Sequence, residues 1–417
     1  MKAHMKSPLT LFTLVAGLSL TPPGRVVAQT YDTNNVIVQT FAGAAVSGYL
    51  DGQGQLAEFS GPAQIVADTS GNLYVWDSGN RVIRKITPDG TVSTFVGGGV
   101  QYQGYGTNVS LSSYLVGATM NMDHSNTIWM IAYSGGDWLL SIQTNGFVSI
   151  QNFDLPGMTA NGGMDLCFDS ANIIYYNGAD KRIYRYDPNT GDAQVFAGSG
   201  ISGHLDGNGI YSEFSSPSAL VCDPADNIYV LDGIYLRKID QSQNVTTVAT
   251  NTAGAPLAIP QYMDNYGNIV CVNNLNNYSS YVSKITPTQG VLLYAGTTGA
   301  SAGGYTNGPG NLARFYNTAS ACAAQGSIFV ADYGNSRIRQ ISFDPQPQVV
   351  SAGDLGIATY AGVTIRGVVG RTYEIQSSPD LSNWTTRAGF LLTTSPYLWF
   401  DPNPIAGNKF YRAFLLP

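Results

Sequence analysis

The chain has 417 residues, of which only 11% are charged, and its formal net charge is −7. An acidic chain with so few cations argues against a nucleic-acid partner, which needs a basic face, and against binding to an anionic membrane. Few charges together with abundant glycine and tyrosine suit an exported all-β protein with uncharged turns.

Residues 1–28 have the pattern of a secretory signal peptide. Lys2 and Lys6 form a basic start, residues 9–20 are apolar but too short to span a bilayer comfortably, and Ala28 ends a small-residue cleavage site. The sequence therefore predicts a secreted or periplasmic mature protein. No later stretch is apolar for long enough to cross a membrane, so no integral membrane segment is expected.

A β-hairpin is predicted over residues 71–86. Leu73 and Val75 alternate with other residues at the period of a strand, as do Val82, Arg84 and Ile86, and residues 77–80 between them favour a turn. The hairpin recurs along the chain, which makes it one unit of a repeat. Its six copies start at Asn72, Asn126, Asn172, Asn227, Asn268 and Ser327.

The whole unit is best read over residues 39–97. A further apolar strand precedes the hairpin, and another follows it after the turn at Asp89-Gly90. Four short strands per repeat, spaced 41 to 59 residues apart, are typical of the blades of a β-propeller.

Three of the repeats carry further motifs that point to a family. Residues 51–54 read DGQG, residues 57–62 read AEFSGP and residues 92–97 read VSTFVG, and residues 194–248 repeat this series closely. In these motifs the chain resembles the NHL-repeat family of β-propellers over residues 36–342. The resemblance implies a propeller that binds a protein or a glycan through its loops.

The two ends of the repeat region complement each other. No fourth strand follows residues 337–342, whereas an extra strand, Val36 to Phe41, stands before the first repeat. We therefore predict that the N-terminal strand completes the sixth blade, which removes two open sheet edges. The predicted domains are a signal peptide (1–28), a six-bladed propeller (29–343), a linker (344–350) and a small C-terminal β-sandwich-like domain (351–417) in which Trp384 and Phe410 are core residues.

The four cysteines are Cys167, Cys222, Cys271 and Cys322. They lie in apolar strand candidates of four different repeats, without the spacing of a metal knuckle or a disulfide framework. Buried free thiols are expected.

Propeller geometry gathers two series of loops on one rim, the Asp-Gly loops and the hairpin turns. A rim of carboxylates and amides would suit Ca²⁺, a sugar or a peptide, although Asp and Asn also favour turns for local reasons. The candidate ligands are Asp51, Asp206 and Asn307 from the loops, and Asp77, Asp137, Asp180, Asp232, Asn274 and Asp332 from the turns.

The glycine-rich loops also carry tyrosines whose rings would stack on a ligand. These are Tyr49, Tyr102, Tyr105 and Tyr305.

Few residues in the sequence could support an enzymatic function. Only His124 and His204 follow the signal peptide, so the histidine-bound zinc of peptide-amidating lyases is not available. Gluconolactonase-type propellers hold a divalent ion in their channel, and here Asp165 is the one acid among inner-strand residues such as Gln64, Ala219 and Ser320. Asp165 is thus the candidate base or ligand of a hydrolase or lactonase.

The sequence favours a monomeric, exported binding or scaffold protein for a protein or glycan over this metal-dependent hydrolase. No cofactor is required by the motifs, and a divalent cation such as Ca²⁺ stays open.

Overall fold

The computed structural model describes residues 36–416 with internal gaps. The gaps are residues 102, 112–118, 134–136, 154, 159–163, 251–257, 265–266, 276–278, 287–289, 298–302, 344–361 and 401–409. The predicted signal peptide and linker therefore lie outside the described residues.

Every regular element of the described residues is a β-strand or one turn of 3-10 helix. The 3-10 turns are Gly54–Leu56, Gly106–Asn108, Gly209–Tyr211 and Tyr333–Asn335. The first fifteen strands are β1 (Val36–Ala42), β2 (Gly52–Gln53), β3 (Pro62–Ala67), β4 (Leu73–Asp77), β5 (Val82–Ile86), β6 (Thr91–Gly97), β7 (Gly104–Tyr105), β8 (Thr119–Met122), β9 (Ile128–Tyr133), β10 (Asp137–Ile142), β11 (Phe147–Phe153), β12 (Leu166–Phe168), β13 (Ile174–Asn177), β14 (Ile183–Asp187) and β15 (Asp192–Ala197).

The strands of the second half and of the C-terminal region continue this series. They are β16 (Gly207–Asn208), β17 (Pro217–Cys222), β18 (Ile228–Asp232), β19 (Tyr235–Ile239), β20 (Asn244–Thr250), β21 (Ile259–Met263), β22 (Ile269–Leu275), β23 (Ser279–Thr286), β24 (Gly290–Gly296), β25 (Gly308–Pro309), β26 (Thr318–Ala324), β27 (Ser327–Asp332), β28 (Arg337–Phe343), β29 (Gly362–Ile365), β30 (Thr372–Ser378), β31 (Thr385–Leu391), β32 (Tyr397–Phe400) and β33 (Phe410–Leu415).

Residues 36–343 form six antiparallel sheets of four or five strands, which we call blades 1 to 6. Blade 1 has the strand order β2-β6-β5-β4-β3, and the others follow the same plan, blades 3 and 5 without the short fifth strand. The innermost strands β3, β8, β12, β17, β21 and β26 contact one another in ring order, and β26 contacts β3. The predicted all-β propeller architecture is therefore confirmed.

The ring is closed by the N-terminal strand. β1 pairs antiparallel with β28, with Val38 opposite Ile341, so the first strand of the propeller is the outer strand of blade 6. Val36 and Val38 are almost completely buried there. The predicted closure is thus confirmed, and it pairs two strands that would otherwise leave an unsatisfied edge.

The hydrophobic core lies between adjacent blades. In β4, Leu73 and Val75 pack toward blade 6, whereas Tyr74 and Trp76 belong to the cluster shared with blade 2. Successive side chains of a strand point to opposite faces, so a strand that is covered on both faces buries all of its side chains. This explains why the five residues of β4 are all buried.

A glycine ends the outer strand of several blades because there is no room for a side chain. At Gly43 the backbone has a positive φ of 103°, and a Cβ would lie 2.7 Å from the carbonyl oxygen of Ser336. Gly198 has the same environment, with a φ of 97° and the carbonyl oxygen of Lys181 at the same distance. The repeated Phe-Ala-Gly motif therefore marks where the outer strand passes the hairpin turn of its blade.

The cysteines differ from the prediction. Cys167 and Cys222 form a disulfide, and their Cα atoms are 6.0 Å apart. β12 and β17 are the inner strands of neighbouring blades, which brings the two positions together despite a sequence separation of 55 residues. Cys271 and Cys322 are free and buried, as the sequence predicts.

The C-terminal region has a two-stranded sheet (β29-β32) and a three-stranded sheet (β31-β30-β33). Both contribute to one small core centred on Ile365, Tyr373 and Ile375. Trp384 and Phe410 are not in that core: Phe410 is 39% exposed, and Trp384 stacks on the guanidinium of Arg412 at 4.0 Å. The residues described here include no helix long and apolar enough to span a membrane.

Candidate functional site

A cavity along the axis of the ring could receive a ligand. Its volume is about 540 Å³, and the inner strands of all six blades line it. The lining consists mostly of apolar and neutral polar residues, and it includes one carboxylate, that of Asp165.

Asp165 connects the blades around one half of the channel. Its Oδ1 accepts a hydrogen bond from Thr119 Oγ1 of blade 2 at 2.9 Å, and its Oδ2 accepts one from the amide of Leu220 in blade 4 at 3.0 Å. The amide of Asp165 itself donates to Asn177 Oδ1 at 2.7 Å. The carboxylate therefore bridges three blades.

The environment of Asp165 favours its neutral form. Burial raises the pKa of this carboxyl above its ordinary value, although the hydrogen bonds from Leu220 and Thr119 oppose the shift. Each oxygen of Asp165 accepts one hydrogen bond from a neighbouring blade. The structure thus places Asp165 at the channel but assigns its oxygens to contacts between blades.

Other polar side chains of the lining also connect blades. Asn121 Nδ2 donates to the carbonyl of Leu166 at 2.9 Å, and Gln261 Oε1 accepts from the amide of Ala321 at 3.0 Å. These bonds satisfy inner-strand backbone groups for which the four-stranded blade offers no partner.

The opposite half of the channel wall, on blades 5, 6 and 1, is different. Gln64 and Ser320 line the cavity on the neighbouring strands β3 and β26, and in the described part of the chain neither side chain forms a hydrogen bond with the protein. The half-buried ring of Tyr262 lines the cavity from blade 5. Small side chains at Ala319 and Ala321 leave room beside them.

The predicted rim carboxylates have another role. In blade 1 the guanidinium of Arg84 donates to Asp77 Oδ2 at 3.1 Å and to Asp51 Oδ1 at 2.6 Å. It also donates to the carbonyls of Leu50 and Glu58 at 2.9 and 2.8 Å. We call these five residues the arginine cluster, which fastens the loop before the blade to its hairpin turn.

Blades 4 and 6 contain the same cluster. In blade 4 Arg237 bonds Asp232 at 3.2 Å and Asp206 at 2.9 Å. In blade 6 Arg339 bonds Asp332 and Asn307, both at 2.8 Å. The repetition shows that the rim residues recur because the same local structure recurs.

Burial separates these candidates into two groups. The side chains of Asp77, Asp232 and Asp332 are 0% exposed, and each forms an ion pair with an arginine inside the blade. Asp51 and Asp206 keep about half of their side-chain surface, 51% and 47%.

The loop tyrosines cover the arginine clusters. The ring of Tyr49 lies 5.2 Å from Arg84, and its hydroxyl is 3.0 Å from Thr94 Oγ1. The ring of Tyr305 lies 4.8 Å from Arg339 and 3.6 Å from Arg337, and its hydroxyl is 2.6 Å from Thr40 Oγ1. Each ring thus has one face on an arginine, and Tyr49 and Tyr305 remain 53% and 38% exposed.

The remaining rim candidates are dispersed. Asp180 pairs with Arg182 at 2.6 Å and accepts from the Tyr184 hydroxyl at 2.7 Å in blade 3. Tyr105 is 59% exposed and packs on Phe147. The side chains of Asp137 and Asn274, and all of Tyr102, lie outside the described residues.

The described residues hold no group of three or more His, Cys, Asp or Glu arranged to bind a metal ion. Within that part of the chain, Asp165 is the one carboxylate of the channel lining.

The sequence reading missed the three buried arginines. Their signal is visible in the chain itself, because Arg84, Arg237 and Arg339 occur at the same hairpin position in those repeats that keep the Asp-Gly or Asn-Gly loop. A cation that recurs together with two acids or amides indicates an internal ion pair rather than a rim of free ligands.

Comparisons with known proteins agree on the fold. No protein-family model matches the chain, and no curated protein matches it. A solved protein of unknown function from Bacteroides thetaiotaomicron is 17% identical with a TM-score of 0.54, covering 74% of this chain and 76% of that one. A putative phosphatase from the same organism is 15% identical with a TM-score of 0.50, covering 75% and 79%.

A gluconolactonase from Xanthomonas campestris is also similar, at 11% identity and a TM-score of 0.48, covering 76% of this chain and 93% of that one. Likeness at these identities concerns the architecture and not the activity. The chain therefore shares its fold with the two Bacteroides thetaiotaomicron proteins, whose TM-scores are 0.54 and 0.50.

Proposed function

We propose that this protein is an exported binding module that holds a small ligand, such as a saccharide, in its central channel. The observation that carries the proposal is the axial cavity of about 540 Å³, lined by all six blades. Ligand sites are concave, mostly apolar, and have a few polar groups, with volumes of roughly 300–1,000 Å³.

The rim is a weaker candidate than the channel. The carboxylates of Asp77, Asp232 and Asp332 are enclosed by arginine, and Tyr49 and Tyr305 rest on the arginine clusters. The carboxylates would therefore not be available to a peptide or glycan on the rim, and each tyrosine ring would have one face already in contact with an arginine. The channel, in contrast, offers polar side chains without internal partners.

Export is supported by two independent features. The pattern of residues 1–28 predicts a signal peptide, and the Cys167–Cys222 disulfide suits an oxidising compartment. The predicted membership in the NHL-repeat family agrees with a binding role. The metal-dependent hydrolase is placed second, because Asp165 is the one carboxylate among the described residues that line the channel.

Saturation-transfer NMR on residues 29–417 with a library of small polar fragments tests this proposal. We expect some fragments to lose their saturation-transfer signal in Gln64→Trp, in which the new side chain fills the cavity from an inner strand. The same fragments should keep their signal in Ser93→Trp, which places a tryptophan on the exposed outer strand of the same blade. If every signal survives in Gln64→Trp, the channel is not the binding site.

A further inference from the structure

Two polar side chains of the channel wall are not used by the fold. Ser320 is only 4% exposed, yet within the described residues its hydroxyl forms no hydrogen bond with the protein, and neither does the amide of Gln64. Because both side chains line the cavity, their polar groups are available to donate to and accept from a molecule that occupies it. Both residues lie on adjacent inner strands and line the same cavity.

The chemistry of the wall limits the charge of a ligand. Asp165 is the one acid among the described lining residues, which contain no Lys, Arg or His. The oxygens of Asp165 accept from Thr119 and Leu220 on the far side of the ring. A charged ligand would therefore lose its hydration without gaining an opposite charge, at a high cost in free energy.

Tyr262 is the aromatic residue of the described cavity lining, and it also packs against the core cluster shared by blades 5 and 6. Tyr262 of blade 5 lines the cavity on the same half as Ser320 and Gln64, and alanines flank Ser320 on its strand. A flat ring with hydroxyl groups can pack one face on an aromatic side chain while its hydroxyls donate to and accept from an amide and an alcohol.

We infer that the channel binds an uncharged, polyhydroxylated ring of pyranose size, and that Gln64 and Ser320 contact it directly. This inference rests on the proposed function, since it assigns the ligand class of the same cavity. Asp165 is a positioning residue in this arrangement, because it sets the spacing of blades 2, 3 and 4 without touching the ligand.

The test uses matched probes that differ in charge. Residues 29–417 are titrated with a set of neutral pyranoses, with the uronic acid of each, and with the 2-amino sugar of each, and binding is followed by saturation-transfer NMR and calorimetry. The neutral member is expected to bind at least about tenfold more tightly than its charged analogues, because a buried charge is left unpaired.

Substitutions identify the contact residues. Gln64→Ala and Ser320→Ala should each weaken binding of the neutral probe about three- to tenfold, the range for one lost neutral hydrogen bond. Ser93→Ala on the exposed outer strand is the matched control and should leave the affinity unchanged. Unfolding curves of each variant show whether the propeller is intact.

The possible failures are distinguishable. If a uronic acid or an amino sugar binds more tightly than the neutral pyranose, and this binding is lost in Gln64→Trp, the inferred ligand class is wrong but the proposed function stands. Neutral binding that Gln64→Ala and Ser320→Ala do not change overturns the assigned contacts. If no pyranose of any charge binds, the inferred class is wrong, and the fragment library then decides whether the channel binds ligands at all.

Discussion

The guanidinium of Arg84 lies 3.1 Å from the carboxylate of Asp77, and neither side chain has any exposed surface. Arg237 with Asp232 and Arg339 with Asp332 repeat the pair. The desolvation cost of burying two charges is offset only when the geometry of the ion pair is good and further hydrogen bonds are made. The backbone carbonyls of each cluster accept these hydrogen bonds. The pairs therefore explain why blades 1, 4 and 6 keep the fullest motifs.

Removing the buried Arg84 should lower the free energy of unfolding far more than removing the charge of the half-exposed Asp51. Arg84→Ala leaves Asp77 buried and unpaired, so we expect a loss of about 3–5 kcal/mol in the free energy of unfolding. Asp51→Asn should cost less than about 1 kcal/mol, since Asp51 is half exposed and blade 6 has Asn307 in the same position. Urea denaturation measures both, and equal losses would contradict the assignment.

Closure of the ring by β1 gives a second prediction. Deleting residues 29–42 exposes the edge of β28 and removes the buried Val36 and Val38, so the whole propeller should unfold at lower denaturant. A synthetic peptide of residues 29–45 added in trans should restore part of the stability. A deletion variant as stable as the full mature chain would show that the closing pair is dispensable.

Reduction of the disulfide should lower stability. The Cys167–Cys222 bond closes a loop of 55 residues, for which the chain-entropy relation gives about 4 kcal/mol. We expect a loss of about 2–4 kcal/mol on adding a phosphine reductant. Cys167→Ser with Cys222→Ser should show the same loss and no further response to reductant, whereas an unchanged midpoint would indicate that the bond does not form in solution.

The free cysteines give an internal check on that experiment. Burial raises the pKa of the Cys271 and Cys322 thiols, which keeps the reactive thiolate scarce. Native protein should therefore react slowly with a thiol reagent, and two thiols per chain should appear on unfolding without reductant. Four thiols would contradict the disulfide.

Divalent cations should leave the melting temperature unchanged. The exposed oxygens of Asp51 and Asp206 are engaged by arginine and by Thr94 and Thr247. A native-state site at 100 times its dissociation constant would add about 2.7 kcal/mol, which thermal shift detects readily. A shift with Ca²⁺ that disappears in Asp51→Asn would place a cation on the rim after all.

Acid should weaken the arginine cluster of blade 4. Burial alone would raise the pKa of Asp206, but hydrogen bonds from Thr247 and the ion pair with Arg237 outweigh it and lower the pKa. A depressed folded pKa means that the stabilisation is present above the unfolded value of about 3.9 and is lost as the pH falls through the folded value.

Denaturation at a series of pH values from neutral to acid checks this sign. The mature protein should lose stability more steeply below about pH 4 than Asp206→Asn, which has no carboxyl to protonate at that position. The difference is expected to be small because Asp206 is half exposed. A steeper acid loss in the variant would contradict the predicted shift.

The sequence alone determined the architecture. Leu73 and Val75 alternate with Tyr74 and Trp76, and such period-two patterns repeat around turn residues along the chain, which is enough to predict four-stranded blades. The surplus strand at Val36 and the missing one after Ser342 similarly predicted the closure, because strand count is a property of the chain. These signals are local, so no knowledge of distant contacts was needed.

The tertiary structure decided which polar residues are available. Asp77 and Ser320 are both polar residues within repeats, but an arginine seven positions along the hairpin encloses Asp77, while Ser320 faces a cavity without a partner in the described protein. Cys167 and Cys222 likewise meet only because neighbouring blades align their inner strands. Burial and pairing depend on residues brought together by ring closure, and a linear pattern does not contain those distances.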